Sequence, residues 1–135
     1  MMKIVMEKYH GFGNDYLIWD PIKNKMQLDS KKVKEINKGN LGIGTVGILY
    51  GPIFEENKFK FHMYRFNGEE VNITENSKMV FLKYAENKGY ILKDTNNILA
   101  SMDIPLSSVH YKEDIRNIGF VILNTQFVEE LQFIK

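Results

Sequence analysis

Three asparagines stand where the backbone is expected to turn. Asn14 follows Gly11-Phe12-Gly13, Asn67 precedes Gly68 after an apolar run, and Asn76 opens a helical stretch. A carboxamide carries both donor and acceptor, so loops presenting several of them suit a zwitterionic amino acid. A helix N-terminus adds unpaired N–H groups, which favour a carboxylate. Asn also favours turns and caps for purely structural reasons, and on spacing alone that reading is the stronger one.

Other chemistries are poorly supplied. The chain has no cysteine, which removes disulfides, thiolate nucleophiles and Cys-based metal sites. None of His10, His62 and His110 is four residues from another, and no HExxH occurs, so a metal site would have to be assembled from distant loops and none is expected. His62 falls inside an expected strand and reads as a packed or surface imidazole. Gly42-Ile43-Gly44-Thr45-Val46-Gly47 fits the letters of G-x-G-x-x-G. Dinucleotide binding needs a strand before that motif and a helix after it. Here a helix precedes and a strand follows, so close approach of backbones is expected instead. Trp19 and the aromatics of residues 59–66 read as core, because no basic cluster accompanies them.

The elements that must position these residues are short. Residues 2–9 and 15–19 read as strands around the glycine turn. Asp29-Ser30 caps an expected helix over 31–38, with Val33 and Ile36 inward and Gly39 as its stop. Residues 47–53 and 58–66 read as strands, the second covered on both faces. A turn at Asn67-Gly68 and a short strand over 69–73 lead into a helix over 76–88. Val80, Phe81, Tyr84 and Ala85 form its apolar stripe, and Gly89 ends it. Residues 90–93, 97–102 and 117–123 are further strand candidates, and 126–135 leans to strand. Many short strands with two helices predict an α+β fold.

Composition narrows the partners. The 135 residues fit one domain, and 44% hydrophobic content allows a core without staples. A net charge of +1 argues against a protein that grips nucleic acid. All but two of the 18 basic residues are Lys; the exceptions are Arg65 and Arg116. No secretory signal is visible, and the longest apolar run, residues 118–123, is too short to span a membrane. A cytoplasmic protein without a membrane partner is the expectation.

Four ordered segments over residues 3–90 resemble the diaminopimelate epimerase family. His10-Gly11-Phe12-Gly13-Asn14-Asp15-Tyr16 is similar to its H-G-x-G-N-D-F opening, and Gly42–Gly47 to its G-I-G-x-D-G segment. Phe66-Asn67-Gly68-Glu69-Glu70-Val71 is similar to F-N-x-D-G-S-E-x, shortened by two. Thr74-Glu75-Asn76-Ser77 falls where the family has C-G-N-G. The match fades beyond about residue 100, although Val121 to Leu131 echoes the start of the family's second half.

The resemblance implies a fold of two similar lobes, each a curved, mostly antiparallel sheet wrapped around a central helix. Residues 1–135 would be a single such lobe, the N-terminal one. It implies an isomerase of the lysine and peptidoglycan precursor route, inverting an α-carbon without a cofactor by means of one cysteine from each lobe. By resemblance, Asn14, Asn67, Glu75 and Asn76 would be substrate contacts, with the amides of Glu75 and Asn76 facing the carboxylate. Thr74 would hold the catalytic position. The departures are specific: Thr74 replaces Cys, Glu75 and Ser77 replace glycines, and Val46 replaces Asp. A hydroxyl does not ionise near neutral pH without an adjacent base, and Glu75 places negative charge where a carboxylate would bind. The lobe alone is therefore expected to be inactive and to need a second lobe or a homodimer partner. The alternative is a pseudoenzyme lobe that binds an amino acid or a partner protein without chemistry.

Overall fold

The computed structural model describes residues 4–38, 45–56, 58–91 and 114–123. Chain order is β1 (Ile4–Gly11), β2 (Asn14–Trp19), α1 (Ser30–Lys38), β3 (Thr45–Glu55), β4 (Lys58–Tyr64), β5 (Glu70–Val71), α2 (Glu75–Asn87) and β6 (Arg116–Leu123). The six strands form one open sheet in the order β5-β4-β3-β2-β1-β6. All neighbours are antiparallel except β2 and β3, which run parallel and pair Leu17 with Ile48 and Ile18 with Leu49. A parallel pair needs a crossover, and α1 provides it. The fold is thus α+β, as the alternation of elements predicts.

Alternation along the strands sends side chains to two cores. On one face, Tyr9, Tyr16, Ile18, Leu49, Phe59, Phe61 and Met63 pack with Val80, Phe81, Tyr84 and Ala85 of α2. Phe61 stacks on Phe81 with ring centroids 4.6 Å apart. On the other face, Ile4, Met6, Leu17, Trp19, Ile48 and Tyr64 pack with Val33 and Ile36 of α1. Trp19 and the β4 aromatics are core, as expected, but β4 is not covered on both faces along its length: Lys60 and His62, opposite Phe59, Phe61 and Met63, are 44% and 42% exposed, and only Tyr64 of that face is buried. The expected helix over 31–38 forms because Asp29 caps it, its Oδ1 accepting from Lys32 N–H at 2.9 Å.

Some boundaries differ from the sequence expectation. The strand expected over 69–73 contracts to Glu70–Val71, because the chain must leave the sheet to reach the cap of α2. Tyr90 and Ile91 bend after α2 instead of starting a strand; both are drawn toward its apolar face, and Ile91 is buried there. The strands expected at 97–102 and 126–135, residues 92 and 93, Gly39, His110 and the glycines at 42 and 44 lie outside the described residues. Gly47 is described, and a Cβ there would stand 2.3 Å from the carbonyl oxygen of Tyr64. That position must be glycine, so the expected close approach is present.

Candidate functional site

Asn14 is fixed by a two-residue hairpin turn. Gly11 pairs with Asn14, and the intervening Phe12 and Gly13 both have positive φ, 56° and 79°. Tight hairpins favour such angles because their twist matches that of the strands. Phe12 is a costly residue there; its partial burial against the α2 core offsets that cost. The turn starts β2 so that Asn14 and Tyr16 alternate onto the face that carries α2.

Thr74 is placed by the start of α2. It has extended backbone angles and serves as the N-cap, with φ −98° and ψ 166°. Ser77 N–H donates to Thr74 Oγ1 at 3.1 Å, and Thr74 N–H donates to Ser77 Oγ at 2.9 Å. This reciprocal capping box uses Ser77 where Glu or Gln is commoner. Ser77 is fully buried, and its hydroxyl donates to Thr74 O at 2.8 Å. The helix ladder begins with Lys78 N–H donating to Thr74 O at 3.0 Å. Among the described residues, no acceptor meets the amides of Glu75 and Asn76, both on the exposed first turn. They stand at the positive end of the helix dipole, where the Glu75 carboxylate is the local negative charge.

The Tyr16 hydroxyl lies near two of the selected residues. Burial pushes its pKa above the ordinary value of 10.0, and the nearby side chains of Thr74 and then Asn14 pull partly against that rise. Asn14 and Thr74 therefore both border one neutral phenol. The sequence reading quoted Tyr16 in a motif but assigned it no role; its position two residues after Asn14, on the same strand face, was the available signal.

Asn67 occupies a separate turn. Arg65 N–H donates to Glu69 O and Gly68 N–H to Arg65 O, each at 2.9 Å. The Asn67 carboxamide oxygen accepts from Glu69 N–H at 2.9 Å. That oxygen is spent on the turn, so only its NH₂ group remains for a ligand. The structure shows no contact between Asn67 and Asn14, Thr74 or Asn76.

A cavity of about 510 Å³ opens between this turn and α2. Of the residues selected from sequence, only Thr74 lies on its wall. Its polar lining is otherwise Arg65, Glu69, Glu70 and Asn72, with Val46, Met63 and Val71 supplying apolar surface. The available signal for Arg65 was its rarity, as one of two arginines directly before a turn motif.

Two histidines have carboxylate partners. His10 Nδ1 lies 2.7 Å from Asp15 Oδ1, and His62 Nδ1 lies 3.6 Å from Glu70 Oε2. Asp15 alternates with Asn14 and Tyr16, so its pair with His10 occupies the opposite face of the hairpin. Among the described residues, no three His, Asp or Glu side chains gather to hold a metal ion. No described helix is long and apolar enough to cross a membrane.

No protein-family model matches the chain. It is 35% identical over 85 residues to "Diaminopimelate epimerase 2" of Nostoc sp., covering 62% of this chain and 30% of that protein. It is 28% identical over 90 residues to a diaminopimelate epimerase of Cupriavidus pinatubonensis, covering 65% of this chain and 31% of the relative. A diaminopimelate epimerase of Leptospira biflexa is 28% identical over 88 residues, with the same two coverages. The matched segment thus spans less than a third of each of these curated relatives.

Proposed function

The chain is related to the diaminopimelate epimerases, and from that kinship we propose that it is an epimerase-type lobe that binds an amino acid but carries no base of its own. The single observation behind this reading is the form of the α2 start. Its capping box engages the Thr74 hydroxyl as an acceptor, while the amides of Glu75 and Asn76 meet no acceptor among the described residues. In the proposed complex those amides seat the ligand's α-carboxylate. Asn14 and the NH₂ group of Asn67 flank it, and the sheet curves around α2 to form one wall of the cleft.

Inversion at an α-carbon requires a group that removes the proton and another that returns one to the opposite face. Thr74 does not ionise near neutral pH. Tyr16, the phenol near it, is held in its protonated form by burial. The chemistry is therefore proposed to need residues from a second lobe or a second copy of the chain.

The test is a proton NMR time course of LL- and meso-diaminopimelate in D₂O with this chain alone. Saturable line broadening without loss of the α-proton signal is the expected result. Loss of that signal would show a base in the lobe, and absence of broadening would remove the amino-acid reading.

A further inference from the structure

We propose that Asn67 is a site of uncatalysed covalent modification: it deamidates through its own backbone to aspartate or isoaspartate, and the change remodels the wall of the cavity beside Thr74. The inference concerns the chemistry of the 65–69 turn and does not depend on the amino-acid reading.

Asn67 is the one asparagine of the chain that glycine follows. A side chain on the following residue hinders attack of its backbone nitrogen on the carboxamide, and glycine has none. The fold requires that glycine. Gly68 has φ 89°, a backbone conformation that disfavours other residues. A Cβ there would also stand 2.8 Å from the carbonyl oxygen of Ser30 and 2.8 Å from the Lys34 stem. The turn is thus built from the residue that makes Asn67 labile.

The carboxamide itself is exposed. Its oxygen accepts from Glu69 N–H at 2.9 Å, which draws electron density from Cγ and folds the side chain back along its own backbone. Its NH₂ group meets no acceptor among the described residues. One bond opposes reaction: Gly68 N–H donates to Arg65 O at 2.9 Å and must open before the nitrogen attacks. A single turn bond has a small net worth, so local opening supplies the reactive form.

In the reaction, the Gly68 nitrogen gives its proton to hydroxide and bonds to Asn67 Cγ. The bond from Cγ to the NH₂ group breaks, ammonia leaves with a proton from water, and a five-membered succinimide remains. Water then adds to either ring carbonyl and one ring C–N bond breaks. The product is aspartate, or isoaspartate with the main chain routed through the former side chain. One water is consumed and one ammonia released, with no change of oxidation state.

Either product alters the cavity. Aspartate adds negative charge beside Glu69 and Glu70, which line it together with Arg65. Isoaspartate adds a methylene to the main chain before Gly68. The bonds from Arg65 N–H to Glu69 O and from Gly68 N–H to Arg65 O then lose their register.

The test incubates the folded chain at mildly alkaline pH, where a backbone nitrogen loses its proton more often. Tryptic peptide 66–78 is then followed by fragment-ion mass spectrometry. That peptide also carries Asn72 and Asn76, which precede Ile73 and Ser77 and serve as internal controls. The mass gain of an amide turned into an acid is expected at Asn67 well before either control. In ¹⁵N NMR of the same sample, the amides of Arg65, Gly68 and Glu69 are expected to shift while those of Tyr84 and Ala85 stay in place. Asn67→Gln, whose longer side chain closes a ring less readily, is expected to lose the gain at that position. A gain at Asn67 no faster than at Asn72 or Asn76 overturns the site. A gain at Asn67 with the turn amides unmoved overturns the remodelling.

Discussion

The two ends of α2 are built on opposite principles. At its C-terminal end, side chains far apart in sequence lock the helix to the sheet. Tyr84 and Tyr90 hydroxyls donate to Asp20 Oδ2 at 2.5 Å each, and Ile22 N–H donates to Asp20 Oδ1 at 2.8 Å. Lys88 Nζ lies 2.6 Å from Glu7 Oε2, and Asn117 Nδ2 donates to Glu7 Oε1, also at 2.6 Å. Asn87 donates to the Tyr9 hydroxyl at 2.8 Å. At its N-terminal end, the hydrogen bonds are the local ones of the Thr74–Ser77 capping box, with the buried Tyr16 phenol beside Thr74. A helix held at one end can leave the amides at the other unpaired without becoming loose.

The largest expected effect breaks the locked end. Asp20→Ala removes the acceptor for two phenols and is expected to cost about 3 kcal/mol or more, measured by urea unfolding. A loss below about 1 kcal/mol would mean that the helix is not held there. Lys88→Met comes next. It leaves the nearly buried Glu7 with only Asn117 and is expected to cost about 2 kcal/mol at pH 7.

The locked end also sets the response to alkali. Lys88 sits above the ordinary 10.5, chiefly through its hydrogen bond to Glu7. Tyr84 and Tyr90 lie above the ordinary 10.0, first through burial and then through Asp20. In each case the native state holds its proton more tightly than the unfolded chain. This stabilisation is complete below the unfolded values and is lost as pH rises beyond them through the folded ones. Unfolding free energy is thus expected to be flat from these groups at pH 7–9 and to fall above about pH 10. Tyr84→Phe is expected to flatten that alkaline decline, and an unchanged slope would count against the assignment.

Effects at the open end are smaller. Thr74→Ala removes the cap and is expected to cost about 1 kcal/mol in the same unfolding experiment. Glu75→Gln is expected to lose a few tenths of a kcal/mol of stability, because a carboxylate in the first turn favours the helix dipole. It is expected at the same time to tighten diaminopimelate binding, since it removes a competing negative charge. Weaker binding in a folded Glu75→Gln variant would argue against carboxylate capture at this end.

Local features of the fold were readable from sequence. The glycine turn before Asn14, the Asp29 cap, the inward Val33 and Ile36 and the apolar stripe of α2 each depend on neighbours a few residues away. Pairings across the chain were not readable in this way. Asp20 reads only as the end of a strand before Pro21, because its partners Tyr84 and Tyr90 are 64 and 70 residues distant. The parallel pairing of β2 with β3 depends on how α1 crosses the sheet, which hydrophobic spacing does not encode. At the candidate site, Asn14 and Thr74 are selected by type and motif. Tyr16 and Arg65 are not, because one is placed by burial beside those two residues and the other by a cavity assembled across strands.

Amide hydrogen exchange along α2, with and without meso-diaminopimelate, tests the contrast most directly. In the free protein, Glu75 and Asn76 are expected to exchange at nearly unprotected rates, while Tyr84 and Ala85 are protected close to the global stability. Saturating diaminopimelate is expected to slow exchange at Glu75 and Asn76. Protection of those two amides before ligand is added, or no change at saturation, would contradict an open, carboxylate-binding end.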